Sequence, residues 1–397
     1  MRNWILIAAA AAATIPGISL ELGLYHPDAP ARAVIFGVAI IGAAFLLSWA
    51  AEAFQVDVSQ GLALGLLALI AVLPEYIVDG TFAWQAANDP EYAQFAVANM
   101  TGANRLLIGV AWPMVVAIGW FRFRQTYVRL DRGHGLELIV LLVASIYAVT
   151  IPFKGEISLL DFVILAAIFG FYIWRLSKLP AERPHLAGPA AAIASLATVP
   201  RRLTTGGVAL AAAVAILFVA EPFAEALIES GGELGIDEFL LVQWLAPLAS
   251  EAPEFVVVAL FAWRGGATAA MSTLVSSKIN QWTLLVGMLP LIYSISLGEV
   301  AGLPLDERQQ QELFMTAAQT LAAVMFLLDL RFHWYGALIL FGLFVAQFFW
   351  PDHLLVFTFI YFGLAVFAGI HQRRAIGIVL RDTRSSLGMS SSSQSEP

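Results

Sequence analysis

Cysteine is absent from the 397-residue chain, which excludes disulfides and thiolate metal sites. Charge is scarce: Asp, Glu, Lys and Arg make up 13% of the residues, against about 25% in a soluble domain. No P-loop pattern is present, so the chain has no visible means of using ATP. The six histidines show no metal-ligand spacing. What fills the chain is hydrophobic: 60% of its residues. That composition is an integral membrane protein's, and domain arithmetic by length does not apply.

Twelve apolar stretches approach the roughly 20 residues that a bilayer requires. They run 4–24, 31–54, 59–86, 93–120, 136–152, 158–177, 206–229, 237–263, 268–297, 312–329, 332–350 and 353–370. The first has one basic residue ahead of a long apolar run, so it reads as a retained anchor and not a signal peptide. The loops then set orientation. With the amino terminus inside, 16 Lys and Arg fall on the inner side and only Arg32, Lys154 and Arg308 on the outer. The acidic segments NDPEY, GGELGIDE and the one with Asp306, Glu307 and Glu312 fall on the outer side. Both termini are therefore expected in the cytoplasm, of a plasma or inner membrane protein.

One stretch occurs twice. LIAVLPEYIVDGTFAW (Leu69 to Trp84) matches the second half of WLAPLASEAPEFVVVALFAW (Trp244 to Trp263), without a gap from Pro74-Glu75 and Pro253-Glu254 to Phe-Ala-Trp. Downstream, VANMTGANRLLIG (Val97 to Gly109) sets against VSSKINQWTLLVG (Val275 to Gly287). This is an internal duplication. The copies lie five spans apart and so enter the membrane from opposite sides, the inverted repeat of many secondary transporters. The predicted fold is all-α, with about twelve transmembrane helices. It comprises an extra helix (1–30), a first five-helix repeat (31–178), a cytoplasmic connector (179–205), a second repeat (206–350), an extra helix (351–372) and a disordered tail (373–397). The motif helices are 59–86 and 93–120 in the first repeat, 237–263 and 268–297 in the second.

Ionised side chains inside a membrane cost roughly 2.5–3.5 kcal/mol each on insertion scales. A chain that keeps Glu75, Glu251 and Glu254 there is expected to hold something positive. A proline in a spanning helix also leaves the carbonyl four residues earlier without its donor, Ile70 for Pro74 and Ala249 for Pro253. Carboxylate plus backbone carbonyl is a usual shell for a hard cation. Asp79 follows Glu75 by one turn on the same face; its repeat equivalent is Val258, while that of Glu251 is Val72. Water at the outer end of its helix is an equal reading for Asp79. Asn99, Asn104, Ser277 and Asn280 supply neutral oxygens to complete a shell. Arg105 and Lys278 are the cations of these helices. Lys278 is either a partner of Glu251 that releases it when a cation arrives, or a structural ion pair. Glu52 and Glu225, repeat-related and near span ends, are weaker candidates.

With those residues in hand, the chain resembles the cation/calcium exchanger superfamily. Its repeats carry a Gly-Thr-Ser-x-Pro-Glu type motif and then Asn-x-x-Gly-Ser-Asn. Here the first repeat reads Ala71-Val72-Leu73-Pro74-Glu75 and Asn99-Met100-Thr101-Gly102-Ala103-Asn104. The second reads Ser250-Glu251-Ala252-Pro253-Glu254 and Ser277-Lys278-Ile279-Asn280. The resemblance implies a ten-helix core in which the two motif glutamates bind the transported cation. Two departures, Ala71-Val72 for the hydroxyl pair and Glu251 for a Ser, remove hydroxyls and add an ionisable group, which favours proton coupling.

The expected function is therefore a secondary active antiporter working by alternating access. It exchanges Na+, Ca2+ or another cation against H+ or Na+ at a midplane carboxylate site. No cofactor is expected; the partners are the bilayer and small inorganic cations, with no nucleic acid. Besides a passive channel, which net uphill exchange driven by a second ion would exclude, two alternatives remain open on the residues alone. One is an ion-coupled transporter of an organic solute whose carboxylate meets Arg105 or Lys278. The other is an intramembrane enzyme, which needs two acids but neither an inverted duplication nor the Ser/His or paired-Asp constellations missing here.

Overall fold

The computed structural model describes residues 2–57, 72–130, 134–178, 186 and 188–373. Each of the twelve apolar stretches forms helix, the third over its described part. In chain order the helices begin with α1 (Arg2–Glu21), α2 (Ala29–Phe54), α3 (Leu73–Gln85) and α4 (Tyr92–Leu106). A π turn (Leu107–Ala111) leads from α4 into α5 (Trp112–Phe123). Then come α6 (Gly135–Ala148), α7 (Leu159–Leu176), the short α8 (Gly188–Ala194), α9 (Thr198–Leu234) and α10 (Glu238–Trp263). A second π turn (Gln281–Leu285) joins α11 (Ala267–Asn280) to α12 (Val286–Leu297). The series ends with α13 (Glu307–Phe326), α14 (Trp334–Phe349) and α15 (Leu354–His371).

Among the described residues, eight helical spans are long and apolar enough to cross a membrane by composition. α13 is not among them, because one of its faces is polar: Gln309, Glu312, Thr316, Gln319 and Thr320 are all buried. Their spacing of three and four residues is one stripe of an α-helix.

Two short antiparallel ladders mark the loops. β1 (Tyr127–Arg129), after the fourth span, pairs with β4 (Arg331–His333), after the tenth. β2 (Glu156–Ile157), after the fifth, pairs with β3 (Leu303–Pro304), after the ninth. A ladder needs both loops on one side of the membrane. Even pairs with even and odd with odd, as alternate crossing requires.

The chain divides into two compact units. The first holds residues 1–106, 151–257 and 280–313. Its α2 packs on α1 through small residues: a methyl added at Gly42 would lie 2.6 Å from the Ala10 carbonyl oxygen. Close approach through small residues is how helices associate without a hydrophobic drive. On its other side α2 meets α9, around Leu46, Leu47, Ala212 and Ile216. Both ends of this pair are clasped. Arg32, in the first turn of α2, forms an ion pair with Glu229 near the end of α9. Asp57, just past the end of α2, accepts two hydrogen bonds of 2.8 Å from Arg201 and one of 2.9 Å from Arg202. α9 thus starts at Thr198, eight residues ahead of the predicted 206, with Pro200 tolerated in its first turn.

The second unit holds residues 107–150, 258–279 and 314–397. The Trp112 ring meets Phe332 edge-on at 5.8 Å, and Gly109 lies against the Phe344 ring, which an added methyl would approach to 2.4 Å. Arg122 donates to the Trp263 carbonyl oxygen at 2.9 Å and covers that indole.

Candidate cation site

The site residues described together lie in the first unit, on α3, α4, α10, α13 and the second π turn. α3 begins at Leu73, so Pro74 stands in its first turn, where a missing N–H costs nothing. This corrects the expectation of two equivalent helix-breaking prolines: Pro253 lies inside α10, as does Pro247. Ile70, whose carbonyl Pro74 was expected to free, lies outside the described residues. Glu75 takes a first-turn position, where the helix dipole favours a negative charge.

Glu75 and Glu251 are both buried. They accept hydrogen bonds from one and the same nitrogen, Nε2 of Gln281, which lies 2.8 Å from Glu75 Oε2. Two acids from different repeats are therefore within one amide's reach of each other. Glu254, one turn beyond Glu251 on α10, is half-buried and within electrostatic range of Glu75. Gln281 opens the second π turn. Such single-turn bulges shift a helix's register and recur at functional sites.

Asp79 is buried too, so the reading that left it in water at a helix end is corrected. Its Oδ1 accepts from Asn99 Nδ2 at 2.6 Å. Tyr76 donates its hydroxyl to Asn280 Oδ1 at 2.6 Å, tying α3 to the end of α11. The amide of Asn104 turns back to the Met100 carbonyl at 2.8 Å. Ser277 and Lys278 belong to the second unit, where both are buried on the last turn of α11.

Arg105 is buried near the end of α4. Its Nη1 donates to Glu312 Oε2 at 2.6 Å, and its guanidinium lies 4.7 Å from the centre of the Trp244 ring. Glu312 was counted with the outer loop acids; it is buried on α13, whereas Asp306 and Glu307 are exposed. Of the weaker candidates, Glu52 is half-buried and Glu225 exposed.

The donor chemistry suits a hard cation. Buried acceptor oxygens of the site receive no hydrogen bond among the described residues, Glu75 Oε1, Asp79 Oδ2, Asn99 Oδ1 and Gln281 Oε1 among them. Buried acceptors without donors are costly, and a cation that takes carboxylate and amide oxygens satisfies them. No three His, Asp or Glu side chains form a metal-holding group among the described residues; carboxamides make up the rest of this set.

Sequence reasoning passed over Tyr76, Glu312 and Gln243 as site residues, and set Gln281 only among the polar residues of the ninth span. Gln243 is buried on α10, four residues before Pro247, and Pro247 removes its carbonyl's usual donor. A methyl at Gly102 would lie 1.8 Å from that carbonyl oxygen. The signal was available: two amides and one acid inside spans that are otherwise apolar.

Known proteins share this fold. The family profile described as "Sodium/calcium exchanger protein" matches residues 29–178 and 205–351. The solved structure of the H+/Ca2+ exchanger CAX is 41% identical, with a TM-score of 0.93, over 98% of this chain and 99% of that one. Native YfkE is 15% identical with a TM-score of 0.60, covering 91% of this chain and 99% of that one. A sodium-calcium exchanger, NCX_Mj, soaked with Na+ and Sr2+, is 15% identical with a TM-score of 0.54, covering 83% and 98%. The last two show the fold alone. None of the curated proteins compared matches the chain.

Proposed function

We propose that this chain, which belongs to the sodium/calcium exchanger protein family, is a cation antiporter that exchanges Ca2+ for protons. Cation antiport follows from the family. The choice of Ca2+ and H+ is supported by the 41% identity to a protein described as an H+/Ca2+ exchanger. The observation that carries the site assignment is the Gln281 amide shared by Glu75 and Glu251.

The proposed chemistry follows from charge balance. Ionised, Glu75 and Glu251 together neutralise one divalent cation, with the neutral carboxyls of Glu254 and Asp79 and the amide oxygens of Asn99, Asn104 and Asn280 available to the shell. Protonated, the same carboxyls are neutral. Either loaded form crosses the low-dielectric interior without net charge at the site, whereas the bare dianion carries the full penalty of buried charge. That difference is what couples the two fluxes. Gln281 holds the two carboxyls together in both forms and adds no charge of its own.

Alternating access is supported by the duplicated motifs at 31–178 and 206–350, read as inverted repeats. The excess of Lys and Arg on alternate loops supports cytoplasmic termini. We read the chain as a transporter and not as an enzyme, with no cofactor and with the bilayer and its cations as partners.

The experiment is Ca2+ uptake into proteoliposomes under an imposed pH gradient, for the parent and for Glu75→Gln and Glu251→Gln. Gradient-driven uptake that both substitutions abolish supports this reading. Parental uptake in both refutes it.

A further inference from the structure

We propose that Glu312 is a positioning residue for cation binding: it neutralises Arg105 and fixes it against Trp244, so that cation affinity depends on a carboxylate that does not touch the cation. The inference rests on the antiporter reading and extends it to a pair outside the ligand set.

Arg105 is a problem that the fold has to solve. A guanidinium keeps its proton in proteins, and Arg105 is buried on α4 one residue after Asn104. Asn99, whose amide holds Asp79, lies six residues earlier on the same helix, a rise of about 9 Å. An uncompensated positive charge at that range repels a divalent ion through an interior that screens far less than water. The repeat equivalent of Arg105 is Thr283, so the duplication does not require the charge.

Glu312 supplies the compensation. It is the buried acid of α13, and its Oε2 lies 2.6 Å from Arg105 Nη1. The Trp244 ring covers the guanidinium on α10, the helix that also carries Glu251 and Glu254. Three site-bearing elements therefore meet at this one pair. Removing one partner of a buried pair leaves the other's charge exposed to its surroundings, whereas removing both does not.

This gives an asymmetry that a packing role lacks. Glu312→Gln leaves the positive charge of Arg105 behind and weakens cation binding. Arg105→Met leaves at most a negative charge and does not weaken it. The test is the Ca2+ dependence of uptake in proteoliposomes at fixed pH gradient. Parent, Glu312→Gln, Glu312→Asp, Arg105→Met and the double variant Arg105→Met/Glu312→Gln are compared.

The expected result is a KM for Ca2+ raised about tenfold in Glu312→Gln, with kcat within about twofold of the parent. Glu312→Asp recovers most of that loss. Arg105→Met and the double variant have KM values at or below the parent's. The inference is overturned by a parental KM in Glu312→Gln, by a lowered kcat there with KM unmoved, or by a raised KM in Arg105→Met. If Glu312→Gln does not fold, the Arg105→Met and double variants decide alone, since a KM above the parent's in either overturns it. A parent that carries no Ca2+ contradicts the proposed function instead, and a separate Glu75→Gln control shows which of the two has failed.

Discussion

Glu75 and Glu251 sit in different repeats, 176 positions apart in sequence, and share a single hydrogen-bond donor, Nε2 of Gln281. A shared donor keeps two acids together in an interior where, ionised, they repel. The arrangement makes Gln281 an obvious target. Gln281→Leu removes two hydrogen bonds to acidic groups, each worth about 1.5–3 kcal/mol when the acceptor is charged. The expected outcome is a lower thermal midpoint in detergent and Ca2+ uptake reduced at least about tenfold. Parental uptake in Gln281→Leu would mean that the shared amide is incidental.

Gly102 tests the packing beside the site. An added methyl would lie 1.8 Å from the Gln243 carbonyl oxygen, and backbone cannot move as a flexible side chain does. Gly102→Ala should destabilise the protein by about 1–3 kcal/mol, the usual cost of overpacking. Gly170 on α7 has open space where its methyl would go, so Gly170→Ala should leave the midpoint within about 0.5 kcal/mol of the parent. Thermal unfolding of the two variants side by side gives the comparison.

The Asp57 clasp makes a prediction about pH. Hydrogen bonds from Arg201, then from Arg202, hold the Asp57 carboxyl well below the usual carboxylate range. A carboxyl whose pKa is lowered on folding stabilises the folded form above its unfolded value and loses that contribution as pH falls towards its folded one. Asp57→Asn should therefore be less stable than the parent by a constant margin across pH 5 to 8. Below about pH 4, the ordinary range for Asp, the margin should shrink. Unfolding midpoints measured from pH 3 to 8 check this; a margin that widens in acid is the contrary result.

The absence of cysteine makes topology directly measurable. Single cysteines at Ser177, in the loop after α7, and at Gly298, after α12, provide unique labelling sites. A membrane-impermeant maleimide added to intact cells should label the second and not the first. The reverse pattern would invert the proposed orientation.

Much of this was legible in the sequence because helices in a membrane announce themselves. Apolar runs gave the spans, and Pro-Glu followed by Phe-Ala-Trp gave the duplication. Burial of Glu75 and Glu251 followed from their place in such runs. Three things were not legible. The π turn at Gln281 shifts side-chain register in a way that a regular 3.6-residue period does not reveal. The Arg105–Glu312 pair joins residues 207 positions apart, and Glu312 follows Asp306 and Glu307 so closely that charge alone groups it with the loop. Pro74 and Pro253 look equivalent in sequence, yet one stands in the first turn of a helix and the other within one, because only tertiary packing decides where α3 starts.

The most direct test of the account is Ca2+ binding to the purified parent, Glu75→Gln, Glu251→Gln and Glu254→Gln proteins by titration calorimetry at a pH above neutral, in two buffers of different ionisation enthalpy. The account predicts that the parent binds Ca2+ and releases protons as it does so. It predicts that Glu75→Gln and Glu251→Gln each lose at least about a hundredfold in affinity. Parental Ca2+ affinity in either of those two variants would contradict it.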